Sequence, residues 1–245
     1  MNIKILSEVL KSSDNIVFFG GAGMSTESGI ADFRSAKGLY KTSSGYEYPP
    51  ETMLSHSFFV SHTDEFYKFY KGKMIFKAAS PNVGHTALAK LEEMGKLKAV
   101  ITQNIDGLHQ IAGSKNVYEL HGSIHRNNCT KCHTFFDLDF IINSKDIPLC
   151  PQCGGIVKPD VVLYEEGLED QVINGAVNAI QKADVLIIGG TSLVVYPAAG
   201  LVNYFRGKKL ILINKSVTSY DSKADIVIHD AIGKVLSMAV DAINK

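Results

Sequence analysis

Four cysteines stand at Cys129-x2-Cys132 and, seventeen residues later, at Cys150-x2-Cys153. Each C-x-x-C pair offers two thiolates to one ion, and two pairs about 15–20 residues apart form a tetrahedral zinc pattern. Pro148, Pro151, Gly154 and Gly155 supply the turns around the second pair. Four thiolates fill the coordination shell, so one structural zinc per chain is expected, with no open position for catalysis. Cys129-Thr130-Lys131-Cys132-His133 also spells the C-x-x-C-H haem-attachment string, but the second pair and the lack of an export signal argue against it. Lys131, His125 and Arg126 give this region only a thin positive charge for nucleic acid.

A second chemistry lies at Gly20-Gly21-Ala22-Gly23-Met24-Ser25-Thr26. Glycines at a strand-to-helix turn let backbone N–H groups approach a pyrophosphate. The fit to G-x-G-x-x-G is incomplete, because Thr26 occupies the third glycine's place and no acid follows at a second strand end. A tight turn without ligand explains the glycines as well. Beyond it, Phe33 and Arg34 could cover a flat ring and clamp a phosphate, or Arg34 could simply pair with Asp32.

Polar residues then crowd the ends of apolar runs. Gln103, Asn104 and Asp106 follow Leu97–Thr102, where a doubly wound fold binds ligands; capping of the next helix is the plainer alternative. His121, beside Gly122, is a general-base candidate, since an unperturbed imidazole titrates near about 6.5. Of the eight histidines it has the best context: His56 and His62 read as loop residues, His85 as early-helix and His229 as strand-end. Gly190-Thr191-Ser192 and Asn214 suit hydrogen bonds to adenine and ribose, or turn chemistry alone.

The elements that must hold these residues are legible as runs. Asn15–Phe19, Leu97–Thr102, Val117–Leu120, Asp184–Ile188, Lys209–Ile213 and Asp225–Ile228 are continuous apolar stretches, as expected of strands buried on both faces. Helical patterns alternate with them: Thr63–Phe76, Asn82–Met94 with Asn82 as N-cap, Leu168–Lys182, Pro197–Phe205 and Ile232–Ile243. This alternation predicts an α/β fold with a doubly wound parallel sheet. Residues 31–50 form a long loop without period, and residues 123–159 read as an insertion carrying all four cysteines.

The chain has 245 residues, 25 basic against 25 acidic, and 45% hydrophobic content. That composition supports a large core and argues against binding held mainly by phosphate neutralisation. The uncharged run 185–202 is broken by Gly189, Gly190, Pro197 and Gly200, so a membrane span is not expected. An early acid and no apolar leader core at the N-terminus predict a cytoplasmic protein with reduced thiols.

Gly21-Ala22-Gly23-Met24-Ser25, Gly29-Ile30-Ala31-Asp32-Phe33-Arg34, Thr102-Gln103-Asn104-Ile105-Asp106, His121-Gly122, the four cysteines and Gly190-Thr191-Ser192-Leu193 occur in sirtuin order. From about residue 15 to residue 232 the chain resembles the sirtuins, NAD-dependent protein-lysine deacylases, with a catalytic core of bacterial or archaeal type. The resemblance implies a Rossmann-like large domain (1–30 with 79–122 and 160–245), a cofactor loop and helical part of a small domain (31–78), and a zinc-ribbon module (123–159). It implies NAD contacts from Ala22, Thr26, Arg34, Gln103, Thr191, Ser192, Asn214 and Ile232. Phe33, Ile105 and Asp106 would form the nicotinamide pocket, with Asn104 ordering a ribose or water. Asn104 and Asp106 join His121 as catalytic candidates, and Cys129, Cys132, Cys150 and Cys153 would hold the zinc. An acyl-lysine peptide would add as a strand between Val161–Tyr164, Val162 included, and Leu193–Tyr196, Val194 included.

The implied reaction needs no side-chain nucleophile. The acyl oxygen attacks C1′ of the nicotinamide ribose, nicotinamide leaves, and His121 serves as base on the ribose hydroxyls; free lysine and O-acyl-ADP-ribose result. Partners would be acylated-lysine peptides, with no nucleic acid and no membrane, and the chain is expected to act as a monomer. Two departures stand out: Ala31 where the family usually has Pro, and Glu165 where it often has Gly, which would set a carboxylate beside the peptide. Tyr67-Lys68-Phe69-Tyr70 lacks the Arg that desuccinylating members carry, so uncharged acyl groups are the expected substrates. A mono-ADP-ribosyltransferase would use the same NAD site. The non-enzymatic alternative is an NAD-responsive zinc-ribbon binding module.

Overall fold

The computed structural model describes residues 2–33, 38–39 and 45–243. Strands β1 (Ile16–Gly20), β2 (Leu97–Thr102) and β3 (Val117–Glu119) come first. Then follow β4 (Gly122–Cys129), β5 (Phe135–Phe136) and β6 (Val157–Val161), and last β7 (Val185–Gly189), β8 (Lys209–Ile213) and β9 (Ile226–Ile228). One six-stranded sheet has the order β3-β2-β1-β7-β8-β9, and every neighbouring pair in it is parallel. That is the doubly wound order, and it reverses between β1 and β7, where such sheets open a crevice for ligands.

The continuous apolar runs are explained by two cores. Side chains alternate across a strand, so Ile16 and Phe18 face one side of β1 while Val17 and Phe19 face the other. The first side packs under helices Asn2–Ser12, Val83–Glu93 and Ile232–Asp241 through Leu6, Leu10, Leu88, Leu91, Val235 and Leu236. The second packs under helix Asp170–Lys182 and the 3-10 segment Ala198–Tyr204 through Ala176, Ile180, Leu201 and Val202. With both faces covered, all five residues of β1 and all five of β7 are buried.

A third core lies off the sheet. Helices His56–Ser61 and Thr63–Lys73 contribute Phe58, Phe59, Phe66, Tyr67, Phe69 and Tyr70. These pack with Ile124, Ile141 and Val157 from the cysteine-bearing segment and with Leu163 just after it; strands β5, β4 and β6 form an antiparallel sheet in the order β5-β4-β6. Gly122 marks the departure from the main sheet. Its φ is +74°, and a Cβ there would meet the Asp160 carbonyl oxygen at 1.9 Å, so only glycine fits.

The six strand expectations stand within a residue at each end. Helix Thr63–Phe76 ends earlier, at Lys73, and 197–205 is a 3-10 segment rather than an α-helix, with Gly200 a poor α-helix former inside it. Helix Asn2–Ser12 escaped the sequence reading. Among the described residues no helix is long and apolar enough to cross a membrane.

Candidate active site

The loop after β1 and the loop after β7 touch. A Cβ on Gly23 would lie 2.7 Å from Gly190 Cα, and one on Gly21 would lie 2.8 Å from Thr191 Cβ. Gly23 N–H donates to the Gly190 carbonyl at 2.7 Å. The glycines therefore serve loop-on-loop packing first, which keeps both turns tight beneath a cavity of about 910 Å³. Thr26, at the missing third glycine, turns its hydroxyl back to the Gly23 carbonyl at 3.0 Å.

That cavity gathers nearly every residue singled out above. Ala22, Thr26, Phe33, Gln103, Asn104, Ile105, Asp106 and His121 line it, as do Val161, Val162, Tyr164, Thr191, Ser192, Asn214 and Ile232. Arg34 lies outside the described residues. Leu193 is buried beneath the wall at 3% exposure, and Val194 is exposed beside it. Ile232 is a core residue as well: it fills the space a side chain on Gly189 would need.

At the end of β2 the polar cluster is wired together. Asn104 Nδ2 donates to Ser25 Oγ at 3.0 Å, and Ser25 Oγ donates to Asp106 Oδ2 at 2.6 Å. The other Asp106 oxygen accepts the Leu108 N–H at 3.0 Å. Asp106 thus satisfies the first N–H of the helix Leu108–Ile111 and also faces the cavity. Ser25, quoted only inside a string in the sequence, is the buried link between two site residues. Gln103 Nε2 donates to Thr191 Oγ1 at 3.0 Å and ties the ends of β2 and β7.

His121 sits where the chain leaves β3 for β4. Its Nδ1 lies 3.0 Å from the Gln103 carbonyl. A carbonyl only accepts, so Nδ1 carries the proton and Nε2 keeps its lone pair. Burial lowers its pKa, against the opposing pull of the Gln103 bond, so the ring is neutral at pH 7. A neutral imidazole with one nitrogen fixed and the other unoccupied is a base ready for a proton.

The groove side differs from the sequence expectation in one respect. The N–H groups of Val162, Leu163 and Tyr164 already donate to His121 O, Glu166 Oε2 and Leu54 O. A peptide strand therefore finds fewer donors here than an open edge would give. Tyr67 and Tyr70 lie fully buried in the third core, with Tyr67 Oη donating to Val157 O at 2.5 Å, and neither lines the cavity.

The four cysteine sulfurs lie within 4.8 Å of one another, with Cys129–Cys153 at 3.4 Å and Cys132–Cys150 at 3.6 Å. Zn–S bonds of about 2.3 Å in a tetrahedron put sulfurs about 3.8 Å apart, so the cluster fits zinc. Backbone N–H groups of Lys131 and Cys132 point at Cys129 Sγ at 3.4 and 3.5 Å, as a thiolate requires. The sulfurs do not line the cavity. Two further histidines, His85 and His109, form a buried pair with ring centroids 4.7 Å apart.

Residues 21–197 match the Sir2 family. The chain is 65% identical over 239 residues to an NAD-dependent protein deacetylase of Clostridium acetobutylicum, covering 97% of this chain and 98% of that protein. It is 66% identical to one from Clostridium perfringens, with 98% of each chain covered. Among solved structures, a Sir2 protein with a deacetylated p53 peptide and 3′-O-acetyl-ADP-ribose superposes with a TM-score of 0.90 at 37% identity, covering 99% of this chain and 98% of that one. A Sir2–p53 peptide–NAD+ complex gives 0.86 at 38% identity, over 99% of this chain and 98% of the other.

Proposed function

The chain belongs to the Sir2 family and is an NAD-dependent protein deacetylase, and we propose that His121 is its general base and that the polar strand ends seat the co-substrate. Bound NAD would supply an electrophilic ribose carbon; overall, acyl-lysine, NAD and one water would give free lysine, nicotinamide and acylated ADP-ribose. The residues of the chain do the rest. Phe33, Ile105 and Asp106 close on the nicotinamide end, and the Asn104–Ser25–Asp106 bonds hold that wall in one geometry. Gln103, Thr191, Ser192, Asn214, Ala22 and Thr26 bind the ribose and phosphate portions, with Ile232 beneath them and Arg34 on a phosphate. Apolar walls keep water from the reacting carbon, since water there would only hydrolyse NAD.

His121 Nε2 takes a proton from a ribose hydroxyl while Gln103 O steadies the imidazolium that forms. The single observation that carries this role is the Nδ1–Gln103 bond, which fixes the tautomer inside the cavity. The peptide lies between the 161–164 segment and the 193–196 segment, with uncharged acyl groups preferred. We divide the chain into a large domain (1–30, 79–122 and 160–245), a loop and helical part (31–78) and a zinc module (123–159). The third core supports that division where it packs residues 53–74 onto the module, and it also takes in Val161 and Leu163 across the proposed boundary. Action as a monomer is part of this reading. Zero net charge supports peptide rather than nucleic acid as partner, and the cytoplasm is the setting the sparse, clustered cysteines suit.

The test is His121→Ala against the parent protein on an acetyl-lysine peptide. A catalytic base contributes about 10²–10⁴-fold, so deacetylation should fall by that factor while NAD affinity, measured by calorimetry, holds. Undiminished turnover would remove His121 from the mechanism.

A further inference from the structure

Three non-glycine residues among those described adopt the left-handed backbone: His133 (φ 59°), Glu165 (φ 76°) and Leu193 (φ 56°). This conformation is disfavoured for any residue with a Cβ and persists only where the surroundings impose it. His133 belongs to a cysteine knuckle. Leu193 falls on one of the two segments assigned to the peptide groove, and Glu165 directly follows the other, 161–164. Leu193 is held by its own burial and by its N–H bond to Thr191 Oγ1 at 3.2 Å.

Glu165 is exposed, so burial does not hold it. Its carboxylate does. Oε2 accepts the Ser57 N–H at 2.9 Å and Oε1 accepts the Ser57 hydroxyl at 2.9 Å, across the start of helix His56–Ser61. The neighbours reinforce this grip. Tyr164 N–H donates to Leu54 O at 2.9 Å, and His56 N–H donates to Tyr164 O at 3.0 Å. Glu166 Oε1 pairs with His56 Nδ1 at 2.9 Å, while its Oε2 accepts Leu163 N–H at 2.9 Å and Lys158 Nζ at 3.2 Å. With the donors of 162–164 consumed, the Glu165 N–H is the donor of this wall that has no protein partner among the described residues.

We propose that Glu165 is a positioning residue that latches the groove wall onto Ser57 and thereby presents its own backbone N–H to the peptide, rather than reading charge on the substrate. The proposal rests on the peptide-groove assignment above. Both carboxylate oxygens are engaged by Ser57, so a basic side chain on the substrate would have to share them. A wall held before binding needs no ordering when the peptide arrives; an unlatched wall does, and that cost falls on peptide KM.

The experiment uses the zinc-loaded protein as wild type, E165G, E165Q, S57A and the E165G/S57A double variant, with acetyl-lysine peptides bearing neutral or basic neighbours. Glycine tolerates φ near +76°, so E165G removes the latch without threatening the fold. E165G should raise peptide KM about tenfold on both peptides, with kcat and NAD KM changed by less than about twofold. S57A should raise it about threefold, the double variant no more than E165G alone, and E165Q should recover part of the loss. Hydrogen exchange gives an independent readout: the His56 and Tyr164 amides should exchange about tenfold faster in E165G. Unchanged peptide KM, or unchanged exchange at these amides, would overturn the latch. A KM rise confined to the basic peptide would overturn it too, and would make Glu165 a charge reader. Absence of turnover in the wild type would refute the deacetylase reading, and the exchange rates would still decide the latch.

Discussion

His85 and His109 show what burial does to a histidine away from the candidate cavity. Both are fully buried, and burial holds their pKa values at about 4 and about 3. His85 Nδ1 accepts the Asn82 N–H at 3.3 Å within the helix cap, while both nitrogens of His109 lack a partner among the described residues. Each is neutral in the folded protein, and in the unfolded chain each titrates near about 6.5. Below that value the unfolded state binds more protons, so stability is full above about pH 6.5 and declines as pH falls toward about 4 and about 3. Replacing His109 by Leu, of similar volume, removes two unsatisfied polar atoms. Thermal melts should show His109→Leu as stable as wild type or more so at pH 7, with a shallower loss between pH 6.5 and 4. An unchanged acid slope would contradict the assignment.

The strands and the cysteine module illustrate why some elements can be read from a sequence and others cannot. A strand buried on both faces leaves a run such as Val185–Ile188 with no polar residue, and that signal is local. Helix Asn2–Ser12 has the same kind of signal in Ile3, Leu6 and Leu10, but Lys4, Ile5 and Ser7 blur the stripe, and only packing against Ile232–Asp241 settles it. The antiparallel strands β4 and β6 were invisible because their partners are far apart in sequence and their residues alternate with polar ones such as His125, Arg126 and Asn128. The four cysteines were legible because metal geometry demands their spacing. The module has a modest core of its own, so its zinc should be essential to its fold. Stripping the metal with a chelator should abolish deacetylation and expose the 123–159 segment to protease, while the parallel sheet retains its far-ultraviolet signal. Retained activity after verified zinc loss would remove zinc from the folding account.

At the scale of the molecule, the site is a crevice between the strand ends of a doubly wound sheet and a second body packed from 50–74 and the cysteine module. Residue types at the strand ends announced the sheet's half of the site. The groove's half was harder to read, because Ser57 meets Glu165 from 108 residues away and nothing in either local sequence marks the contact. The same crevice would suit transfer of ADP-ribose to a protein side chain, so the products, more than the fold, separate the two reactions. The direct measurement is mass analysis of an acetyl-lysine peptide incubated with NAD and the protein. The account predicts deacetylated peptide, nicotinamide and acetylated ADP-ribose in equal amounts, with deacetylated peptide and acetylated ADP-ribose falling about 10²–10⁴-fold in His121→Ala. A peptide that keeps its acetyl group and gains ADP-ribose would contradict it.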